Sequence, residues 1–126
     1  MTTIFITMDK KKVFVYDSAK GFSRFIKMNF NKEFEIISCT NKKRLIEYDL
    51  NKIDFAFFII NDFDDIINFI WTFSKVKRIY LGTHNEEINK KLKDNEAIVL
   101  LNLSQKKTEL IEEIKQNIKI YNLVEF

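Results

Sequence analysis

The chain of 126 residues has no proline, two glycines and one cysteine. Average usage would give about nine glycines and six prolines at this length. With only Gly21 and Gly82, glycine-rich phosphate loops are excluded, because they need several glycines for tight turns and close backbone approach to phosphate. Nucleotide sites of that kind go with them. A single cysteine, Cys39, forbids an intrachain disulfide. It lies in an apolar, strand-like stretch and reads as a small buried hydrophobe, since a nucleophilic role would need a base and His84 is the one histidine. Long hydrophobic runs are missing too. The run over residues 55–60 falls far short of the roughly 20 residues a membrane-spanning helix requires, and the opening Met-Thr-Thr-Ile-Phe-Ile-Thr-Met is too short and polar for a secretory signal. The expectation is a cytoplasmic protein with no membrane partner.

Charge of either sign is unremarkable. The net charge is +3, and no basic run exceeds Lys10-Lys11-Lys12 or Lys42-Lys43-Arg44. Basic residues scattered in this way make a solvated surface and do not favour a nucleic-acid partner. A hydrophobic content of 46% with 31% charged residues is that of a globular chain, long enough to bury a core without staples, so residues 1–126 are expected to form one domain.

What the sequence does have is a regular alternation of buried runs with helical periods. Val13-Phe14-Val15-Tyr16 reads as a first strand, closed by Asp17-Ser18. Ser18 is placed to cap a helix whose apolar positions are Phe22, Phe25, Ile26 and Phe30. Residues 34–39 return to strand character. Leu45, Ile46 and Tyr48 predict a short helix ending near Asn51. Residues 53–60 are apolar on both faces except for Asp54, as a central parallel strand requires.

Beyond Asn61 and Asp62, a third helix runs on Ile66, Ile67, Phe69, Ile70 and Phe73, with Trp71 packed in it. Strands follow at 78–81, ended by Gly82-Thr83, and at 97–101. A short helix on Ile88 and Leu92 separates them, and a last helix carries Leu110, Ile111, Ile114 and Ile118. Five strands and five helices in alternation predict an α/β fold with a five-stranded parallel sheet in order 2-1-3-4-5 and helices on both faces, flavodoxin-like in topology. Residues 1–11 are left as an N-terminal arm or an extra strand. Ligands bind at the C-terminal ends of such strands, which directs attention to Asp17-Ser18, Asn61-Asp62, Thr83 with the adjoining His84, and Asn102.

The stretch 12–121 resembles the receiver domain of bacterial response regulators. The resemblance rests on element order, on a first strand ending in Asp17, on Ile79-Tyr80-Leu81-Gly82-Thr83, and on the closing helix Glu109-Leu110-Ile111-Glu112-Glu113-Ile114. It implies paired acids that hold Mg²⁺ after the first strand and a phosphoacceptor aspartate ending the third. It also implies a hydroxyl ending the fourth strand and a lysine before proline after the fifth. In this sequence Asp17 is followed by Ser18. The family spacing from Asp54 places the acceptor on Ile59, Thr83 supplies the hydroxyl, and Leu101-Asn102-Leu103-Ser104 contains neither lysine nor proline.

The expected function is therefore a non-catalytic, receiver-like interaction module in signalling or regulation, without an acceptor aspartate and without a cofactor. It would dock on another protein or on a second copy through the family's face near Ile88, Leu92, Val99 and the outward side of residues 107–121. The alternative is an active receiver that uses Asp62 as acceptor, Mg²⁺ held by Asp17, Asp62 and Asp64, and Lys106 or Lys107 as a displaced cation. Against it, Asp62, Asp64 and Asp65 also suit a plain helix cap. A flavodoxin-like small-ligand binder is the weaker alternative. The thirteen phenylalanines, among them Phe22, Phe25, Phe30, Phe63, Phe69 and Phe73, exceed what one small core needs, and an exposed aromatic patch would mark an interface.

Overall fold

Phe55-Ala56-Phe57-Phe58-Ile59-Ile60 offers no side to water, so it is stable only where side chains cover both faces. In the computed structural model, which describes residues 10–120, it is the middle strand of a five-stranded sheet with every residue buried. The elements are β1 (Lys11–Tyr16), α1 (Gly21–Phe30), β2 (Phe34–Cys39), β3 (Phe55–Ile60), α2 (Phe63–Phe73), β4 (Ile79–Thr83), α3 (Glu86–Leu92), β5 (Ile98–Leu101) and α4 (Lys107–Ile120). The sheet is parallel throughout in order β2-β1-β3-β4-β5, as the alternation predicted. Residues 1–9, most of the proposed arm or extra strand, lie outside the described residues, and Lys11 already belongs to β1.

Alternate residues of each strand feed two cores. Val13, Val15, Phe55, Phe57 and Tyr80 meet Ile26 and Phe30 of α1 and Ile114 and Ile118 of α4. Phe14, Tyr16, Phe58 and Leu81 face Phe69 of α2, with Ile88 and Leu92 of α3 partly buried behind them. This is the doubly wound arrangement. Aromatic contacts fill both layers. Tyr16 stacks on Phe58 at 4.4 Å between centroids, and Phe55 meets Tyr80 edge-on at 5.5 Å. Most of the phenylalanines are thereby absorbed: Phe30 and Phe69 are buried, Phe22, Phe25 and Phe73 are partly so, and Phe63 alone of the six singled out is exposed.

Two expectations are corrected. Between β2 and β3 there is no α-helix but a pair of 3-10 turns, Lys42–Glu47 and Leu50–Lys52, so the α-helices among the described residues number four. Among the described residues of the two turns, the buried side chains are Leu45 and Leu50, five apart, which one α-helical face does not present together, and Asp49 accepts from Asn51 N to start a separate turn. Gly82 and Thr83, expected to end the fourth strand, lie inside it and pair with Ile59 and Ile60.

Candidate functional site

The strand order reverses between β1 and β3, and the candidate site lies at their C-terminal ends. Asp17, 1% exposed, leaves β1 and turns its carboxylate under the start of α1. Oδ2 accepts from Phe22 N at 2.7 Å and Ser23 N at 3.3 Å, and Oδ1 accepts from Ala19 N at 3.2 Å. The helix is therefore capped by Asp17 and not by Ser18. Lys20, at φ 71°, takes the left-handed turn that swings the first amides of α1 over the strand end. An acid at the positive end of a helix with three backbone donors is well placed electrostatically.

The fourth donor to Asp17 comes from β3. Asn61 Nδ2 donates to Asp17 Oδ1 at 2.8 Å and lies 3.4 Å from Ser18 Oγ. Ile59, two residues earlier on the same side of the strand, is 3% exposed. Its Cδ1 and the Leu103 side chain close over Gly82, where a Cβ would stand 2.7 Å and 2.9 Å from them. That close approach is why glycine sits there. The position assigned to the acceptor by spacing is thus filled by packed hydrocarbon, and the group that faces Asp17 is an amide.

The remaining predicted residues are placed as follows. Asp62 is the N-cap of α2, accepting from Asp65 N at 3.2 Å, and Asp64 is exposed in the first turn. Thr83 Oγ1 donates to Ile60 O and accepts from Asn85 N, each at 3.2 Å, so its hydroxyl ties β4 to β3 and to the start of α3. Asn102 accepts from Ser104 N, with Glu113 taking up Asn102 N and the Gln105 amide. Asp17, Asp62 and Asp64 are not brought together. Among the described residues, no three or more His, Cys, Asp and Glu are grouped to hold a metal ion. Cys39 is buried, and that burial pushes its thiol pKa up. His84 is exposed beside a groove of about 680 Å³ between α1 and α4, whose apolar wall includes Phe22, Phe25, Leu110 and Ile111.

Sequence reasoning missed a second network, on the α2 side of the sheet. Asp65 is fully buried. It accepts from Tyr16 Oη at 2.8 Å, Ser18 Oγ at 3.3 Å, Asn61 N at 2.8 Å and Asp62 N at 3.1 Å, and Asn68 Nδ2 donates to Tyr16 Oη at 3.0 Å. Asp62 and Asp65 form a reciprocal capping box. Burial first, then the bond to Asp65, pushes the Tyr16 phenol above its ordinary pKa, against a smaller opposing effect of Asn68. The fold thus favours the neutral phenol. Its contribution is complete below about pH 10, the unfolded tyrosine value, and is lost as pH rises from there toward the folded value. Urea midpoints of the parent are expected to fall more steeply above about pH 10 than those of Tyr16→Phe. Equal slopes would show that Tyr16 does not couple to folding.

No family model matches the chain, and no curated protein matches it. Solved structures do. A structure of adenylate cyclase from Rhodopirellula baltica aligns with TM-score 0.66 and 14% identity over 90% of this chain and 91% of that one. A CheY-like response regulator receiver domain protein from Methanospirillum hungatei JF-1 aligns with TM-score 0.61 and 10% identity, covering 88% and 95%. A response regulator from Thermotoga maritima aligns with TM-score 0.54 and 17% identity, covering 87% and 98%. The fold is therefore the CheY-like, flavodoxin-like one. At such identities the likeness concerns the backbone alone. Among the described residues, no helix is long and apolar enough to cross a membrane.

Proposed function

We propose that this chain is a receiver-like protein-interaction module in signalling or regulation that works without an aspartyl-phosphate switch. The observation that carries the reading is the Asn61–Asp17 contact. The side chain that faces Asp17 from the end of β3 is an amide and not a carboxylate, and Asp17 already accepts four hydrogen bonds, two of them from the first turn of α1 and one from the Ala19 amide before it. Mg²⁺ binding requires several oxygen ligands with lone pairs to spare, and a carboxylate engaged in this way competes poorly for it. Packing of Ile59 and Leu103 over Gly82 and the tying of Thr83 to the Ile60 carbonyl support the same reading. A fold that keeps its shape while its polar groups serve capping is left with its surface as the means of acting.

Intact mass after incubation with acetyl phosphate and Mg²⁺ tests this, run beside Asp62→Ala. No added phosphoryl mass is expected in either protein. An increment in the parent that Asp62→Ala abolishes would establish the active receiver using Asp62 and overturn the proposal.

A further inference from the structure

Phe63, Ile67 and Ile70 are 76%, 61% and 66% exposed, and they recur at i, i+4 and i+7 along α2. That spacing places them in one stripe on the outer face of a helix about 16 Å long. The inner face is accounted for by Asp65, Phe69 and Thr72, which are buried against the sheet. The neighbouring 3-10 turn Lys42–Glu47, which packs beside α2, adds Ile46 at 73% exposure. Scattered exposed apolar residues need no explanation, but three large ones in a helical row form a patch of the kind that marks a contact surface.

We infer that this stripe packs against α2 of a second copy of the chain, the two helices running antiparallel across a two-fold axis. The inference rests on the protein-interaction reading and names its partner. Charge along the element selects the occupant. Exposed Asp62 and Asp64 stand at the N-terminal end of α2, and exposed Lys75 and Lys77 stand just past its C-terminal end, Lys75 with its Nζ 4.7 Å from the Trp71 ring centroid. An antiparallel pair lays the acidic end of one copy along the basic end of the other and opposes the helix dipoles. A parallel pair sets like charges together. A two-fold interface must be complementary to itself, and a helix that is acidic at one end, basic at the other and apolar between meets that condition. This face is distinct from the one around Ile88, Leu92 and Val99, whose side chains are partly buried against the cores.

Sedimentation equilibrium up to about 1 mM is expected to show a monomer–dimer equilibrium for the parent. Ile67→Asp, at an exposed site where the fold is unaffected by far-UV circular dichroism, is expected to raise the dissociation constant at least about 100-fold, because the change enters the interface twice. Lys75→Glu alone and Asp64→Lys alone weaken association, and the two together restore it. A parent that stays monomeric would leave the stripe to a different protein partner and overturn the inference. So would a dimer indifferent to Ile67→Asp, and a double variant that stays weak would overturn the antiparallel pairing. The phosphorylation test reads none of these outcomes, so the two proposals fail separately.

Discussion

Asp65→Ala is expected to lower stability by roughly 3–5 kcal/mol, a large share of the 5–15 kcal/mol typical of a domain. Four donors converge on this one buried carboxylate, from Tyr16 of β1, from Ser18 two residues beyond it and from the Asn61 and Asp62 amides at the entry to α2. Removing it strands the Tyr16 hydroxyl in the core and strips the Asn61 and Asp62 amides of their acceptor. Each buried donor left unsatisfied costs about 1–3 kcal/mol. The chain also loses half of the capping box that starts α2. Urea unfolding followed by tryptophan fluorescence would measure the effect, since Trp71 lies on α2. A loss under about 1 kcal/mol would mean that water replaces the carboxylate and that the network is not structural. Tyr16→Phe beside it separates the contributions: it removes one donor and takes the acceptor from Asn68 Nδ2 but leaves the Asn61 and Asp62 amides paired, and should cost about 1–2 kcal/mol.

Asn61→Asp is expected to destabilise the protein at neutral pH by about 2–4 kcal/mol, because a donor to Asp17 becomes a second carboxylate at the same 2.8 Å approach. Two such groups share a proton more readily than they both ionise. The variant should therefore recover stability as pH falls and the pair takes up a proton, whereas the parent should not. Millimolar Mg²⁺ should raise the thermal midpoint of the variant and leave that of the parent unchanged, since a hard cation bridges paired carboxylates and gains little from a single saturated one. A variant as stable as the parent, with no response to Mg²⁺, would show that Asn61 and Asp17 are farther apart in solution and would remove the main support for a lost acceptor.

The sheet order was legible because each strand is an apolar run bounded by polar residues, and the spacing between runs leaves room for one crossover. The exceptions have local causes. Leu45 and Leu50 supply apolar content without helical spacing, so the segment between β2 and β3 forms turns. Ser18 has the right chemistry for a cap, but Asp17 reaches the α1 amides first because Lys20 adopts a left-handed turn, which residue type alone does not announce. The pairing of Asp17 with Asn61 spans 44 residues and follows only once β1 and β3 are known to be neighbours. The Tyr16–Asp65 bond is of the same kind, although two signals for it were present. The spacing of Asp62 and Asp65 is that of a capping box, and a tyrosine ending a buried strand needs a partner for its hydroxyl.

The burial of β3 on both faces has a consequence for the chain when it is not folded. Phe55-Ala-Phe-Phe-Ile-Ile60 is six residues of strong β preference with neither charge nor proline, the composition of segments that stack into cross-β ribbons. In the native sheet its two neighbours occupy both edges, β1 on one side and β4 on the other. Asp54 at one end donates its own amide to Lys12 O while its carboxylate accepts from Lys12 N, and Asp62 follows at the other end. These two acids flank the segment as gatekeepers, giving an opened chain charge repulsion where hydrophobicity alone would favour self-association. Variants that open the sheet, Asp65→Ala first among them, will expose that segment, and their loss will then be governed by a concentration-dependent aggregation rate as well as by the folding equilibrium.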